Sequence, residues 1–152
     1  MDRNRLAAEI RFEVDQLRRL AIAVNELLES IKGRPLPWHA AAGAKYVADL
    51  WMGIENLCKR RCVYLELPIP SGVDSHNRLL EDFLAQPELG GKLSADIQHR
   101  LKKYKNFRHR FIHGYGFEVD WEKVNEPLRL LPETVELLSS LWLGWLDDAR
   151  HL

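Results

Sequence analysis

The sequence predicts an all-α protein, a single-domain, up-and-down helical bundle of about five helices. Apolar residues recur at the three- and four-residue spacing of amphipathic helices along most of the chain. Clusters of glycine and proline interrupt this pattern, and a strand-like stretch at residues 117–119 is too short to build a sheet. A length of 152 residues fits one domain, residues 1–152, that is large enough to bury a core.

The first two predicted helices fill the N-terminal part of the chain. Apolar side chains repeat at helical spacing in residues 5–31, and Gly33 with Pro35 ends that helix. Pro37 opens a second helix that runs to about residue 67. A loop is expected after it because proline, serine and glycine follow.

Serine residues mark the starts of the next two predicted helices. Ser75 is a candidate cap for a short third helix over residues 76–86. Ser94 is a candidate cap for a fourth helix, which runs to about residue 113 before Gly114 ends it.

The C-terminal segment contains two prolines. Asp120 is a candidate cap, and we expect Pro127 and Pro132 to divide the segment because proline lacks the N–H that an interior helical position donates. The last helix is therefore predicted over residues 132–149.

The overall charge is neutral, with 22 Lys and Arg against 22 Asp and Glu. This balance argues against a polybasic binder, but local charge still allows phosphate contact. No apolar run approaches the length of a membrane span, and the polar N-terminal segment is unlike a signal peptide. We expect a cytoplasmic protein that does not enter a membrane.

The two cysteines, Cys58 and Cys62, lie four residues apart on the second predicted helix. A disulfide between them would strain the helix, and a metal site would need ligands that no neighbouring Cys or His supplies. We expect reduced thiols and no metal or other cofactor.

A concentrated basic segment lies on the fourth predicted helix. Six of the Lys and Arg residues fall between Arg100 and Arg110. At about 100° per residue, one flank turned away from the apolar face carries a set of cations and imidazoles: Lys102, Lys105, His109 and His113. Arg108 falls at the edge of the apolar face, where it would be partly shielded. Such a segment in a neutral protein indicates a local anionic ligand.

These residue types suit RNA cleavage without a metal ion. A base removes the proton of the ribose 2′-hydroxyl, an acid protonates the departing 5′-oxygen, and cations stabilise the charge on the phosphate. Histidine can be acid or base, and arginine offers a fork of donors to phosphate oxygens. The same residues also fit a solvated helix face, with His113 interacting with the helix dipole.

The stretch Phe107-Arg108-His109-x-x-x-His113-x-Tyr115 resembles the signature of the HEPN superfamily, and within it the HepT-type toxins of bacterial toxin–antitoxin pairs. Residues 50–57, with an aromatic-x-Gly-Ile-Glu pattern, and residues 75–80 and 115–121 also resemble family segments. The resemblance covers roughly residues 40–125 and implies the HEPN-like helical bundle.

The resemblance implies a metal-independent endoribonuclease that acts as a homodimer or higher homo-oligomer, with two motifs facing one cleft. Arg108 and His113 match the catalytic residues of the family, and His109 occupies a polar position from which it would assist. The substrate would be RNA, with tRNA a frequent target in the family. In this hypothesis Lys102, Lys105 and Arg110 guide the RNA backbone.

Tyr115 matches the tyrosine to which a partner nucleotidyltransferase of the MNT type, the antitoxin, transfers AMP. The added AMP would place bulk and negative charge beside the cationic cleft and so repel RNA. Without the resemblance, a simpler interpretation is that Tyr115 anchors the turn by packing its ring.

In an alternative hypothesis, the protein has the same fold but is not an enzyme. It is then a non-catalytic HEPN module that binds a nucleotide or the partner protein. Among the remaining polar residues, His76 is expected to be structural, while His39 and His99 are expected to face solvent. Glu55 is either a surface charge or a partner of Arg108.

Overall fold

The computed structural model describes residues 1–111, 114–115 and 118–148. In this part of the chain the α-helices, in order, are α1 (Arg3–Ser30), α2 (Pro37–Tyr64), α3 (Ser75–Ala85), α4 (Ala95–Phe111) and α5 (Trp121–Asp148), with a 3-10 turn (Gly90–Lys92) between α3 and α4. The described residues form no strand, so the all-α prediction with about five helices is confirmed. None of these helices combines the length and apolar character needed to cross a membrane.

The second helix, α2, lies at the centre of the bundle. It packs against α1, α4 and α5, and more lightly against α3, while α1 also packs against α5. Half of the residues of α2 are buried, and they include the large side chains of Leu50, Trp51 and Leu57. A polar side chain on α2 that faces a neighbouring helix must therefore find its partner inside the protein.

Two of the predicted caps form. The Ser94 Oγ accepts a hydrogen bond from the Ile97 N–H at 3.2 Å, at the start of α4. The Asp120 carboxylate accepts from the Glu122 N–H at 3.1 Å, at the start of α5. The Ser75 cap was wrong, because α3 already includes Ser75 and no side chain caps its first turn.

His39 is buried, which corrects the prediction that it faces solvent. Its Nδ1 accepts a hydrogen bond from the Leu36 N–H at 2.8 Å, and its ring stacks on that of Trp38. The imidazole thereby satisfies a backbone donor at the start of α2, as a glutamate does in a capping box.

The last helix, α5, continues through Pro127 and Pro132, so the predicted division is wrong. Each proline removes a backbone donor, at a cost of about 3 kcal/mol in a helix interior. An apolar face that packs against α1 and α2 continues on both sides of the prolines. Its fully buried members include Val124, Leu128, Leu131 and Leu138. Burial of this long face outweighs the local cost of the prolines.

The fourth helix, α4, is anchored by a few side chains. Leu101 and Tyr104 are its buried residues, and the Tyr104 hydroxyl donates to the Pro127 carbonyl of α5 at 2.7 Å. The Arg100 guanidinium reaches the same helix, 3.2 Å from a Glu133 carboxylate oxygen and 3.1 Å from the Thr134 hydroxyl. These contacts fix one side of α4 and leave its opposite flank exposed.

Both cysteines are free thiols and are buried. Burial raises the pKa of the Cys58 thiol far above its ordinary value, and the neighbouring Cys62 adds to that effect. Burial also raises the pKa of Cys62. Both thiols therefore remain protonated at neutral pH and are poor nucleophiles.

We expect Tyr104→Phe to lower the free energy of unfolding by about 1 kcal/mol, because the Pro127 carbonyl loses its phenol donor. Burial raises the pKa of Tyr104 to about 12, above the ordinary value of a tyrosine. The phenol therefore stabilises the fold fully below about pH 10, and this contribution is lost as the pH rises through about 12. Urea unfolding of both proteins from neutral to strongly alkaline pH measures the difference, which should shrink across that window. A difference that stays constant would contradict this assignment.

We expect Gly53→Ala to lower the free energy of unfolding by about 1–3 kcal/mol through overpacking. A Cβ at Gly53 would lie 2.5 Å from the Leu17 Cδ2, where α1 and α2 approach each other. Gly144→Ala is the matched control, because no atom lies within 4 Å of a Cβ placed there. That exposed helical position should gain up to about 1 kcal/mol. Urea denaturation compares the two variants, and equal effects would argue against close packing at Gly53.

Candidate functional site

The exposed flank of α4 borders a cavity of about 490 Å³, here named the α4 cavity. α2 and the region around the start of α3 form one wall, and the C-terminal half of α4 forms the other. The lining residues are Trp51, Val73, His76, Asn77, Lys105, Asn106, Arg108, His109 and Arg110. Cations and imidazoles thus converge on a space large enough for part of a nucleotide chain.

Arg108 lies in the wall of the α4 cavity and is half-buried, as its place on the helical wheel predicts. It follows Phe107, which packs against the core. Among the residues that the structure describes, no carboxylate forms an ion pair with Arg108. A shielded guanidinium without such a counter-ion, next to an open cavity, is well suited to bind an anion.

Three further predicted residues, His109, Lys105 and Arg110, lie in the same wall. The Lys105 ammonium donates to the Asn77 side-chain carbonyl, and the Asn77 amide donates to an Asp74 carboxylate oxygen at 2.7 Å. This chain of hydrogen bonds connects α4 with the start of α3. His109 and Arg110 are exposed and therefore accessible to a ligand in the cavity.

Not every basic residue of the segment reaches the cavity. Lys102 is exposed on α4 and lies outside the lining. Arg100 is bound to Glu133 and Thr134 of α5, on the other side of the helix. One part of the basic segment therefore attaches α4 to α5, and the other part forms the cationic flank of α4.

Glu55 is 8% exposed at its side chain, so it is not the surface charge that the sequence suggested. Its ion pairs within the described part of the chain join it to His76 and Lys59 rather than to Arg108. Its Oε1 lies 2.8 Å from the His76 Nδ1, and its Oε2 lies 3.6 Å from the Lys59 ammonium. This pair joins α2 to α3 at the wall of the α4 cavity. Sequence spacing gave no signal for it, because the two residues belong to different helices.

His113, the predicted catalytic histidine, lies outside the described residues. Tyr115 is described and is 69% exposed. It borders a second cavity of about 440 Å³ together with Arg110, Glu118 and Lys123. Arg110 thus borders both the α4 cavity and the cavity at Tyr115.

The α4 cavity combines the groups needed to bind a phosphodiester and to move a proton. Arg108, Lys105 and Arg110 supply positive charge, and His76 and His109 supply imidazoles. Within residues 1–111, 114–115 and 118–148, no three His, Cys, Asp or Glu side chains are grouped as ligands for a metal ion.

Comparison with known proteins identifies the family. The family described as HepT-like protein matches residues 42–143, which include all the residues that line the α4 cavity. No curated protein and no solved structure matches the chain significantly. Because the matched range spans most of the chain, the protein belongs to the HepT-like family of the HEPN superfamily.

Proposed function

We propose that the protein is a metal-independent endoribonuclease and the toxin of a toxin–antitoxin pair. The observation that carries the proposal is Arg108, a half-buried guanidinium that faces no carboxylate among the described residues and lines a cavity with two imidazoles. Membership of the HepT-like family supports the same function.

In the proposed mechanism, Arg108 binds the scissile phosphate and stabilises the charge that develops on it. The ribose 2′-oxygen loses its proton and attacks phosphorus while the bond to the 5′-oxygen breaks. His113 and His109 take part in these proton transfers, and the departing 5′-oxygen receives a proton. The reacting groups come from the RNA itself, so the protein supplies charge, orientation and proton transfer.

The proposed substrate is RNA, with tRNA the first candidate. Lys105 and Arg110 line the α4 cavity, while Lys102 lies further along the same helix and extends the positive surface beyond it. Phosphates of the RNA backbone would contact these cations, so binding should weaken as salt concentration rises. In a homodimer or higher homo-oligomer, two copies of the motif would face one cleft and share one RNA.

The proposed antitoxin is a nucleotidyltransferase of the MNT type that transfers AMP to Tyr115. The exposure of Tyr115 makes its side chain accessible to such an enzyme. Arg110 borders both the cavity at Tyr115 and the α4 cavity, so an added adenylate would place negative charge next to the cationic wall. The modification would then exclude RNA by charge and by bulk.

We expect Arg108→Ala and His113→Ala each to lower the rate of tRNA cleavage by about 100-fold or more, since each removes a group that acts on the transition state. Single-turnover cleavage by the purified protein in the presence of a chelator measures the effect. His99→Ala is the matched control, because His99 is exposed on α4 and lies outside the α4 cavity. If the unsubstituted protein binds tRNA but leaves it intact, the non-catalytic binding module is the correct hypothesis.

We expect a nucleotidyltransferase of the MNT type, supplied with ATP, to add one adenylate to the protein and to abolish its cleavage of RNA. Mass spectrometry of the intact protein detects the modification, and Tyr115→Phe should remain unmodified and fully active. Modification of the Tyr115→Phe variant would show that another residue accepts the AMP.

A further inference from the structure

Glu55 and His76 form a contact between α2 and α3 that the proposed mechanism does not use. The His76 Nδ1 lies 2.8 Å from the Glu55 Oε1, and the side chains are 40% and 8% exposed, respectively. The Lys59 ammonium lies 3.6 Å from the other carboxylate oxygen. The carboxylate therefore lies inside the protein, while the imidazole lies at the wall of the α4 cavity.

The carboxylate determines which ring nitrogen of His76 is available for chemistry. The Glu55 carboxylate accepts a hydrogen bond from the Nδ1–H of His76, so Nε2, on the other side of the ring, carries the lone pair. The carboxylate also stabilises the imidazolium that forms when Nε2 takes up a proton. Among the lining residues, Arg108 and His109 share this cavity with His76.

A structural role alone does not account well for a buried carboxylate at this place. Removing a carboxylate from water is costly, and apolar side chains of similar volume join two helices without that cost. His76, to which this carboxylate is hydrogen-bonded, lines the cationic α4 cavity.

We infer that His76 is the general base of the reaction and that Glu55 is the residue that positions it; this inference rests on the proposed function. Nε2 of His76 takes the proton of the ribose 2′-hydroxyl as the bond from the 2′-oxygen to phosphorus forms. The bond from phosphorus to the 5′-oxygen breaks, and that oxygen takes a proton from a second group that acts as the general acid. Arg108 holds the phosphate in the same cavity, so one protomer contributes both the base and the main cation.

The test compares cleavage of one tRNA by His76→Ala, His76→Asn and Glu55→Gln, with His99→Ala as the matched control. We expect His76→Ala to lower kcat by about 100-fold or more, with the Kd for RNA changed less than about threefold. Added imidazole should restore part of the rate, because it can occupy the vacated space and accept the proton. Glu55→Gln should lower kcat with little change in KM, and His99→Ala should cleave at the normal rate.

The possible outcomes separate this inference from the proposed function. If the unsubstituted protein cleaves RNA and His76→Ala cleaves it equally well, the inference fails and the proposed function stands. If the unsubstituted protein does not cleave RNA, both fail. A loss of RNA binding together with cleavage, without rescue by imidazole, would assign the pair a structural role and overturn the inference.

A second variant keeps the test decisive if His76→Ala does not fold. The amide nitrogen of His76→Asn occupies the position of Nδ1, so it can still donate to Glu55 and preserve the contact between α2 and α3, but it cannot accept a proton. Thermal unfolding measures whether the fold is retained. A folded His76→Asn variant with a low kcat supports the inference, and a folded variant with normal kcat overturns it.

Discussion

The burial of α2 among the other helices is the constraint on which the rest of the structure depends. A helix packed against α1, α3, α4 and α5 needs small residues where its neighbours come close, and Gly43 contacts Val124 and Leu128 of α5 in this way. The same burial acts on polar groups. Glu55 lies on this helix and cannot reach solvent freely, so its charge is satisfied by His76 and Lys59. The burial of α2 therefore accounts both for the close packing at the centre of the bundle and for the Glu55–His76 contact at the wall of the α4 cavity.

The attachment of α4 explains how one helix combines structural and chemical roles. Leu101 and Tyr104 hold the middle of the helix, and its last turn carries Arg108, His109 and Arg110. Cations are favourable there, because the helix dipole places partial negative charge at the C-terminus. The same electrostatics that stabilise the helix end thus concentrate positive charge next to the cavity.

Hydrophobic periodicity predicted the helices because each of them buries one continuous apolar face, and the Ser94 cap followed from local chemistry. The predicted break at Pro127 failed because contacts from other helices decide whether a helix continues, and those contacts are invisible in a local pattern. The cationic flank of α4 could be placed on one helix by spacing alone. The partners of His39 and His76 could not: the first required a cap geometry, and the second required a residue from another helix.

The two buried thiols make this protein convenient for site-specific labelling. Because Cys58 and Cys62 are shielded and resist ionisation, maleimides and similar reagents at neutral pH should leave them intact in the folded protein. A cysteine introduced at Val73, which is fully exposed where the α4 cavity opens, would then be the favoured point of attachment for a fluorophore or spin probe. Such a reporter would register entry of a polynucleotide without prior removal of the native cysteines.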